Sequence, residues 1–326
     1  MSSASAGAGA RSILCAGIIV LDEVFRVDRF PQPDAKTQAQ SFFIVNGGCA
    51  ANAAVAIARL GGRATLAGPL GEDSNGDRVL AALAREEVDC SGCQRLAGVP
   101  TALSAIFIDA RGDRMIVTHC DDRLAAATPA DAAGLVARAD AVVADNRFPE
   151  FVRPICVAAR ARGLTMVLDA DRPTQTSDEL FRIATHVVFS AECLRATTGL
   201  DDLGAALAAI AATTSSFLAV TQGPRDVLWR EGPTLRRSPV FAVEAIDTLG
   251  AGDVFHRARG RPRRGRGAAV RRGGGRPQMH APGRQYGGPA PRRGRGPAGD
   301  ALRRGFPPRR QVRRYGSNFS CGRIVF

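Results

Sequence analysis

What this chain lacks narrows it first. No apolar run approaches the about 20 residues that cross a bilayer, so no membrane-spanning helix and no membrane partner are expected. Residues 1–10 are small and polar, without the charged-then-apolar order of a secretory leader, and read as a frayed, flexible extension. The eight cysteines are scattered through mostly apolar surroundings rather than set out as a disulfide framework, which fits a reducing cytoplasm. Cys90-Ser-Gly-Cys93 is a lone CxxC with no second pair and no nearby histidine. Ordinary thiols are therefore expected there, not a metal or redox centre. Lysine occurs once, at Lys36. Beyond residue 256 acid is almost missing too: the last 70 residues hold 20 arginines, no lysine and one acid, Asp300. They carry +19 of a whole-chain +13, which leaves −6 for the body. The net positive charge thus belongs to the tail, and a basic partner surface is not a property of the body.

The body of 256 residues suffices for one large α/β domain with a substantial core. Apolar runs at 12–21, 64–67, 141–144, 165–168, 186–190 and 217–221 read as buried strands. Helical stretches separate them, among them the alanine-rich 50–60 and 76–86. Strands spaced by helices imply a parallel sheet covered on both faces. Residues 101–108 and 114–119 alternate around Ala110-Arg-Gly-Asp113 and read as a hairpin. Together with 25–45 they break the rhythm and suggest a small β-sheet lid.

Two places carry chemistry. Asn46-Gly47-Gly48-Cys49-Ala50-Ala51-Asn52 leads into the first helix. Paired glycines before a helix make either a tight strand-to-helix turn or the floor of a polyol site, where backbone and Asn52 donors meet hydroxyls. The second place is Asp247-Thr248-Leu249-Gly250-Ala251-Gly252-Asp253. Gly250, Ala251 and Gly252 at a helix start aim free N–H groups at one spot, where the helix dipole adds positive potential. That suits a transferring phosphoryl group. Asp253, directly beside this anion hole, is placed to take a proton from an attacking hydroxyl.

At these residues the chain resembles the PfkB (ribokinase-like) carbohydrate kinases. The Gly-Gly helix start and the motif Asp-Thr-x-Gly-Ala-Gly-Asp-x-Phe ending at Phe255 are both present, and the resemblance runs from about residue 13 to 255. It implies a ribokinase-like three-layer α/β sandwich with a mostly parallel central sheet and a β-sheet lid over about 25–45 and 101–119, in a kinase domain spanning 11–256. It also implies ATP as donor, Mg²⁺, and transfer of the γ-phosphate to a sugar hydroxyl. Asp253 takes the catalytic-base position and Gly250, Ala251 and Gly252 the anion hole. Asp22, Gly47, Gly48 and Asn52 match sugar-binding positions. Thr221 and Gly223 match the Thr-x-Gly turn near the nucleotide phosphates, with Asp247 and Thr248 on the cofactor side. Family members often dimerise through the lid. The family's Asn-x-x-Glu, linked to Mg²⁺ and phosphate, falls where this chain reads Ser190-Ala-Glu-Cys193, so no residue is assigned as a metal ligand.

Within the family, Val142-Val-Ala-Asp-Asn-Arg147, Val167-Leu-Asp-Ala-Asp171, Val220-Thr-Gln-Gly223 and Asp253-Val-Phe-His256 are most similar to sulfofructose kinases. An anionic sugar needs a cation. Arg147, after a strand end, and Lys36, in the lid segment, are the candidates, the plain alternative for Arg147 being a surface charge.

After Asp-x-Phe-x the family continues in a long alanine-rich helix. Here residues 257–326 are rich in Arg, Gly and Pro, which forbids that buried helix. One reading is an Arg/Gly arm that binds nucleic acid. The other is a shift of reading frame near Arg257. Met279 has a single codon and His280 begins with C, so reading one base further turns Met279 into cysteine. Over residues 276–289 the shifted codons permit Ala-Leu-Lys-Cys-Thr-Arg-Leu-Gly-Gly-Asn-Met-Gly-Ala-Pro, which resembles the family's C-terminal segment. The second reading accounts for the letters, and a nucleic-acid partner is then not expected. The chain as written is expected to bind ATP weakly or not at all.

Overall fold

The apolar runs separate into two sheets. The computed structural model describes residues 10–240 together with Asp253. The extension 1–9, the residues Asp247, Thr248, Gly250, Ala251 and Gly252, and the whole tail lie outside the described residues. The elements in chain order are β1 (Ser12–Ala16), β2 (Val20–Arg26), β3 (Ser41–Gly47), α1 (Cys49–Arg59), β4 (Arg63–Gly71), α2 (Ser74–Arg85), β5 (Asp89–Leu96), β6 (Leu103–Ile108), β7 (Arg114–His119), α3 (Asp122–Ala125), α4 (Ala132–Ala137), β8 (Ala141–Asp145), α5 (Pro149–Ala161), β9 (Thr165–Ala170), α6 (Glu179–Ile183), β10 (His186–Ser190), α7 (Ala191–Thr198), α8 (Leu203–Ala211), β11 (Phe217–Gln222), β12 (Arg225–Glu231) and β13 (Thr234–Ser238).

The central sheet has nine strands in the order β13-β12-β11-β10-β9-β8-β1-β4-β5. It is parallel from β11 to β5, and β12 and β13 add an antiparallel edge. One face packs on α3–α8 around Phe151, Ile155, Phe181, Leu194 and Leu207. The other packs on α1 and α2 around Ala54, Ile57, Val79 and Leu83. Each fully buried Leu, Ile or Phe contributes roughly 1.5–3 kcal/mol, so these two layers carry the stability. This is the expected three-layer architecture. Among the described residues no helix is long and apolar enough to cross a membrane.

The expected single strand over 12–21 is two strands in different sheets. Gly17 makes the break, with φ +149°, and a Cβ there would meet the Asp145 carboxylate at 2.0 Å. From that point β2 enters the second, four-stranded sheet, β3-β2-β6-β7, which is the lid. Its hairpin turn forms as expected: the Asp109 carboxylate accepts from the backbone N–H of Arg111 and Asp113, and Gly112 takes φ +84°. β5, β12 and β13 were not legible as strands. β5 reads Asp-Cys-Ser-Gly-Cys-Gln-Arg-Leu, with no apolar alternation, because it is a sheet edge.

Candidate active site

The strands of an open α/β sheet point their carboxyl ends at one crevice. Here those ends bring Asp145 (end of β8), Asp169 (end of β9) and the start of α1 together. Gly47 and Gly48 shape the approach. A Cβ on Gly47 would lie 1.9 Å from the Asp22 carboxylate, and one on Gly48 would lie 2.3 Å from the Ile18 carbonyl oxygen. Gly48 also has φ +94°. The paired glycines therefore clear space for Asp22 and for the backbone after β1, so that α1 starts against both.

Asp22 sits on β2, buried, opposite Val45 of β3 and Ser104 of β6. Burial pushes its pKa up to about 6; the Ser104 hydroxyl pulls the other way, and the charge of Asp253 adds to the rise. One turn into α1, the Asn52 side-chain amide donates to the Asp253 carboxylate at 2.7 Å. Asn52 thus holds the candidate base, a contact between residues 201 apart in the chain. Cys49, Asp169 and Asp253 each offer a ligand atom within 4.8 Å of the others. Burial, then the carboxylates of Asp253, Asp169, Asp145 and Asp171, raise the Cys49 thiol well above its usual range, so it is a neutral thiol. Asp145 is fully buried and pushed up to about 7 by burial, although the backbone N–H groups of Arg147 and Ile18 donate to it.

Arg147 follows β8, and its guanidinium is paired with Asp171. Asn146 holds the backbone that carries Asp171: buried, it accepts from the N–H groups of Asp171 and Arg172 and donates to the Arg172 carbonyl, fixing the loop after β9. Lys36 is exposed between β2 and β3. Thr221 is the next-to-last residue of β11, beside Ser190 of β10, with Gly223 at φ +62° in the turn that follows. At the Ser190 stretch, the Ser190 hydroxyl caps α7 by accepting from the Cys193 N–H; Cys193 is buried and Glu192 exposed.

Asp22, Gly47, Gly48, Asn52 and Asp253 are thus brought to one place, with Arg147 electrostatically linked to Asp171 and Asp145. Gly250, Ala251, Gly252, Asp247 and Thr248 lie outside the described residues. Asp145, Asn146, Asp169 and Asp171 were given no role from the sequence. Their signal was present, as polar residues ending apolar strand runs at a sheet's carboxyl edge.

A nine-stranded α/β sheet with a four-stranded lid and an aspartate against the Gly-Gly helix start defines a sugar-kinase class. The pfkB family carbohydrate kinase model matches residues 10–257, and the chain belongs to this family. Among its relatives, the chain is 27% identical over 251 residues to ribokinase of Bacillus subtilis, covering 76% of this chain and 84% of that protein. It is 30% identical over 252 residues to fructokinase-1 of Oryza sativa subsp. japonica, covering 67% and 73%. A crystal structure from Agrobacterium tumefaciens, provisionally described as a ribokinase, superposes with TM-score 0.72 at 38% identity, covering 76% of this chain and 82% of that one. The chain is by family an ATP-dependent carbohydrate kinase that moves phosphate to a sugar hydroxyl.

Proposed function

We propose that Asp253 is the general base of this kinase and that its acceptor is a ketose or related sugar held by Asp22, Gly47, Gly48 and Asn52. The observation that carries the reading is the Asn52–Asp253 hydrogen bond, which fixes the carboxylate beside Asp22 and at the mouth of α1. Asp22, ionised above about pH 6, accepts from sugar hydroxyls. Asp253 takes the proton from the attacking hydroxyl. Gly250, Ala251 and Gly252 hold the charge that builds on the phosphoryl group. Thr221 and Gly223, with Asp247 and Thr248, serve the nucleotide.

Mg²⁺, when bound with the nucleotide, neutralises phosphate charge during transfer. Asp169 and Asp253 suit it as hard oxygen donors; neutral Cys49 and buried Cys193 do not. The sulfonated-ketose reading rests on Arg147 and Lys36. Arg147 is already engaged by Asp171, so an anionic substituent would share or replace that partner. The names of the relatives point instead to ribose and fructose, and these are the competing acceptors. The exposed lid residues Phe42, Ile116 and Val117 support a homodimer through the lid. Seven described cysteines are free thiols, which supports a cytoplasmic compartment.

The test assays ribose, fructose and a sulfonated ketose with ATP, on the chain as written and on a gene with the register restored after residue 256. Asp253→Asn in the active form is expected to lower kcat by about 10²–10⁴-fold; an unchanged kcat removes Asp253 from the role. An Arg147→Ala Michaelis constant unchanged for the sulfonated ketose ends the anionic reading.

A further inference from the structure

The cysteine pair of β5 is a sequence motif that the kinase chemistry leaves unused. In a regular strand, residues three apart point to opposite faces, so Cys90 and Cys93 would stand on different sides of the sheet. β5 is not regular at this point. Asp89 lies opposite Thr65 of β4, and Gly92 lies opposite Ala67, three steps against two. The extra residue is a bulge, which bends the strand and resets its alternation. As a result both Cys90 and Cys93 pack on the same apolar cluster, the one shared with α1 and α2. The Cys90 thiol donates to the Val88 carbonyl at 3.7 Å and the Cys93 thiol to the Leu66 carbonyl at 3.5 Å, and each thiol lies near enough to shift the other's titration. β5 is also the edge of the nine-stranded sheet, and both thiols keep partial exposure, whereas Cys15, Cys156 and Cys193 are buried.

We propose that Cys90 and Cys93 form a reactive dithiol that exchanges with low-molecular-weight disulfides and closes to an intramolecular Cys90–Cys93 bridge. The roles within the pair are unequal. The neighbouring Cys93 thiol holds the Cys90 thiol below its usual range, while the neighbouring Cys90 and burial raise Cys93. Nucleophilic attack needs the thiolate, so Cys90 attacks and Cys93 resolves. The Cys90 thiolate bonds to one sulfur of the external disulfide, the external S–S bond breaks, and the first thiol departs. Cys93 then gives up its proton and attacks the Cys90 sulfur, expelling the second thiol. Two electrons and two protons pass from the dithiol to the external disulfide, which leaves as two thiols. The bulge serves this step as well. Its extra residue has no ladder partner, so the backbone has slack to bring the two sulfurs to a bond of about 2.05 Å.

The experiment uses the full-length protein, reduced, desalted and exposed to oxidised glutathione over a range of redox ratios. Remaining thiols are then alkylated. Cleavage after Arg85 and Arg95 releases residues 86–95, which carry both cysteines and no other. The expected result is loss of two hydrogens from this peptide before any adduct appears on Cys49 or Cys120, the other partly exposed thiols among the described residues. In Cys93→Ser the glutathionyl group is expected to remain on Cys90, and in Cys90→Ser little is expected on Cys93. The proposal is overturned if the native protein is modified first at Cys49 or Cys120 while residues 86–95 stay reduced, or if Cys93→Ser gathers no adduct on Cys90. Mapping of the wild-type chain decides the question even where a variant folds poorly. Denatured wild type, in which the preference for residues 86–95 is expected to vanish, is the control.

Discussion

At the residue scale, the site depends on close approaches that a single methyl group would destroy. Gly47 faces the Asp22 carboxylate at a distance no Cβ tolerates. Gly47→Ala is expected to cost about 1–3 kcal/mol, as overpacked sites do, and to weaken sugar binding by turning Asp22 away. Urea denaturation measures the first effect. Adding Asp22→Ala to Gly47→Ala should recover stability but not activity, which separates the steric cause from a general loss of the helix start. The buried acids set a pH dependence of known sign. Asp22 and Asp145 titrate at about 6 and about 7 in the folded chain, against about 4 in an unfolded one. Over that interval the folded state binds more protons, so stability falls as pH rises from about 4 to about 7 and then levels off. Denaturation midpoints at pH 5, 6 and 8 should decrease in that order, and Asp22→Asn should flatten the change below about pH 6. Asp73 acts the opposite way and lower. Burial raises it, but the hydrogen bonds from Thr101 and Gly76 outweigh that and hold it below its usual range. Its stabilisation is lost only as the solution becomes more acid than this window.

At the element scale, the strands that announce themselves in the sequence are those buried on both faces. β8, β9, β10 and β11 are near-continuous apolar runs because helices or other chain cover both sides. The edges do not announce themselves. β5 is polar, and β13 is mostly exposed. In the lid, β7 is exposed along its whole length and carries Met115, Ile116 and Val117, while Phe42 of β3 is half exposed at the other edge of the lid. An exposed apolar edge strand is a pairing surface, which is why the lid is proposed to meet a second copy. Val117→Lys places charge on that surface away from the core. Sedimentation velocity is expected to show a dimer for the wild-type lid and a monomer for the variant; equal masses would remove the lid from assembly.

At the scale of the whole molecule, the family match stops at residue 257, where the composition changes. Among the described residues, α1 and α2 are the helices on one face of the central sheet, while six helices cover the other. Val167, Val188, Ala219 and Val227 of β9 to β12 belong to the cluster on the α1 and α2 side and are buried. A register-restored C-terminus permits an alanine-rich helix after residue 256, and the Arg/Gly/Pro composition of the tail does not. We therefore expect the restored gene to yield a protein with tighter ATP binding and a higher melting temperature than the chain as written. Equal ATP affinity and equal melting temperature in the two proteins would dismiss the frameshift reading.

The sequence by itself determined the reaction class, through the Gly-Gly helix start and the Asp-Thr-x-Gly-Ala-Gly-Asp motif, and it located the break after residue 256. It also determined the buried strands after β1 and the first two helices, because periodicity, turn glycines and apolar runs act between near neighbours in the chain. Only the tertiary structure decided that Gly17 ends β1 to make way for Asp145, that Gly47 is glycine because of Asp22, that Asn52 holds Asp253, and that Cys90 and Cys93 share one face. Each of these depends on a close approach or a register. Ile18 meets Asp145 across 127 residues and Asn52 meets Asp253 across 201, so such contacts exist only once the sheet has closed.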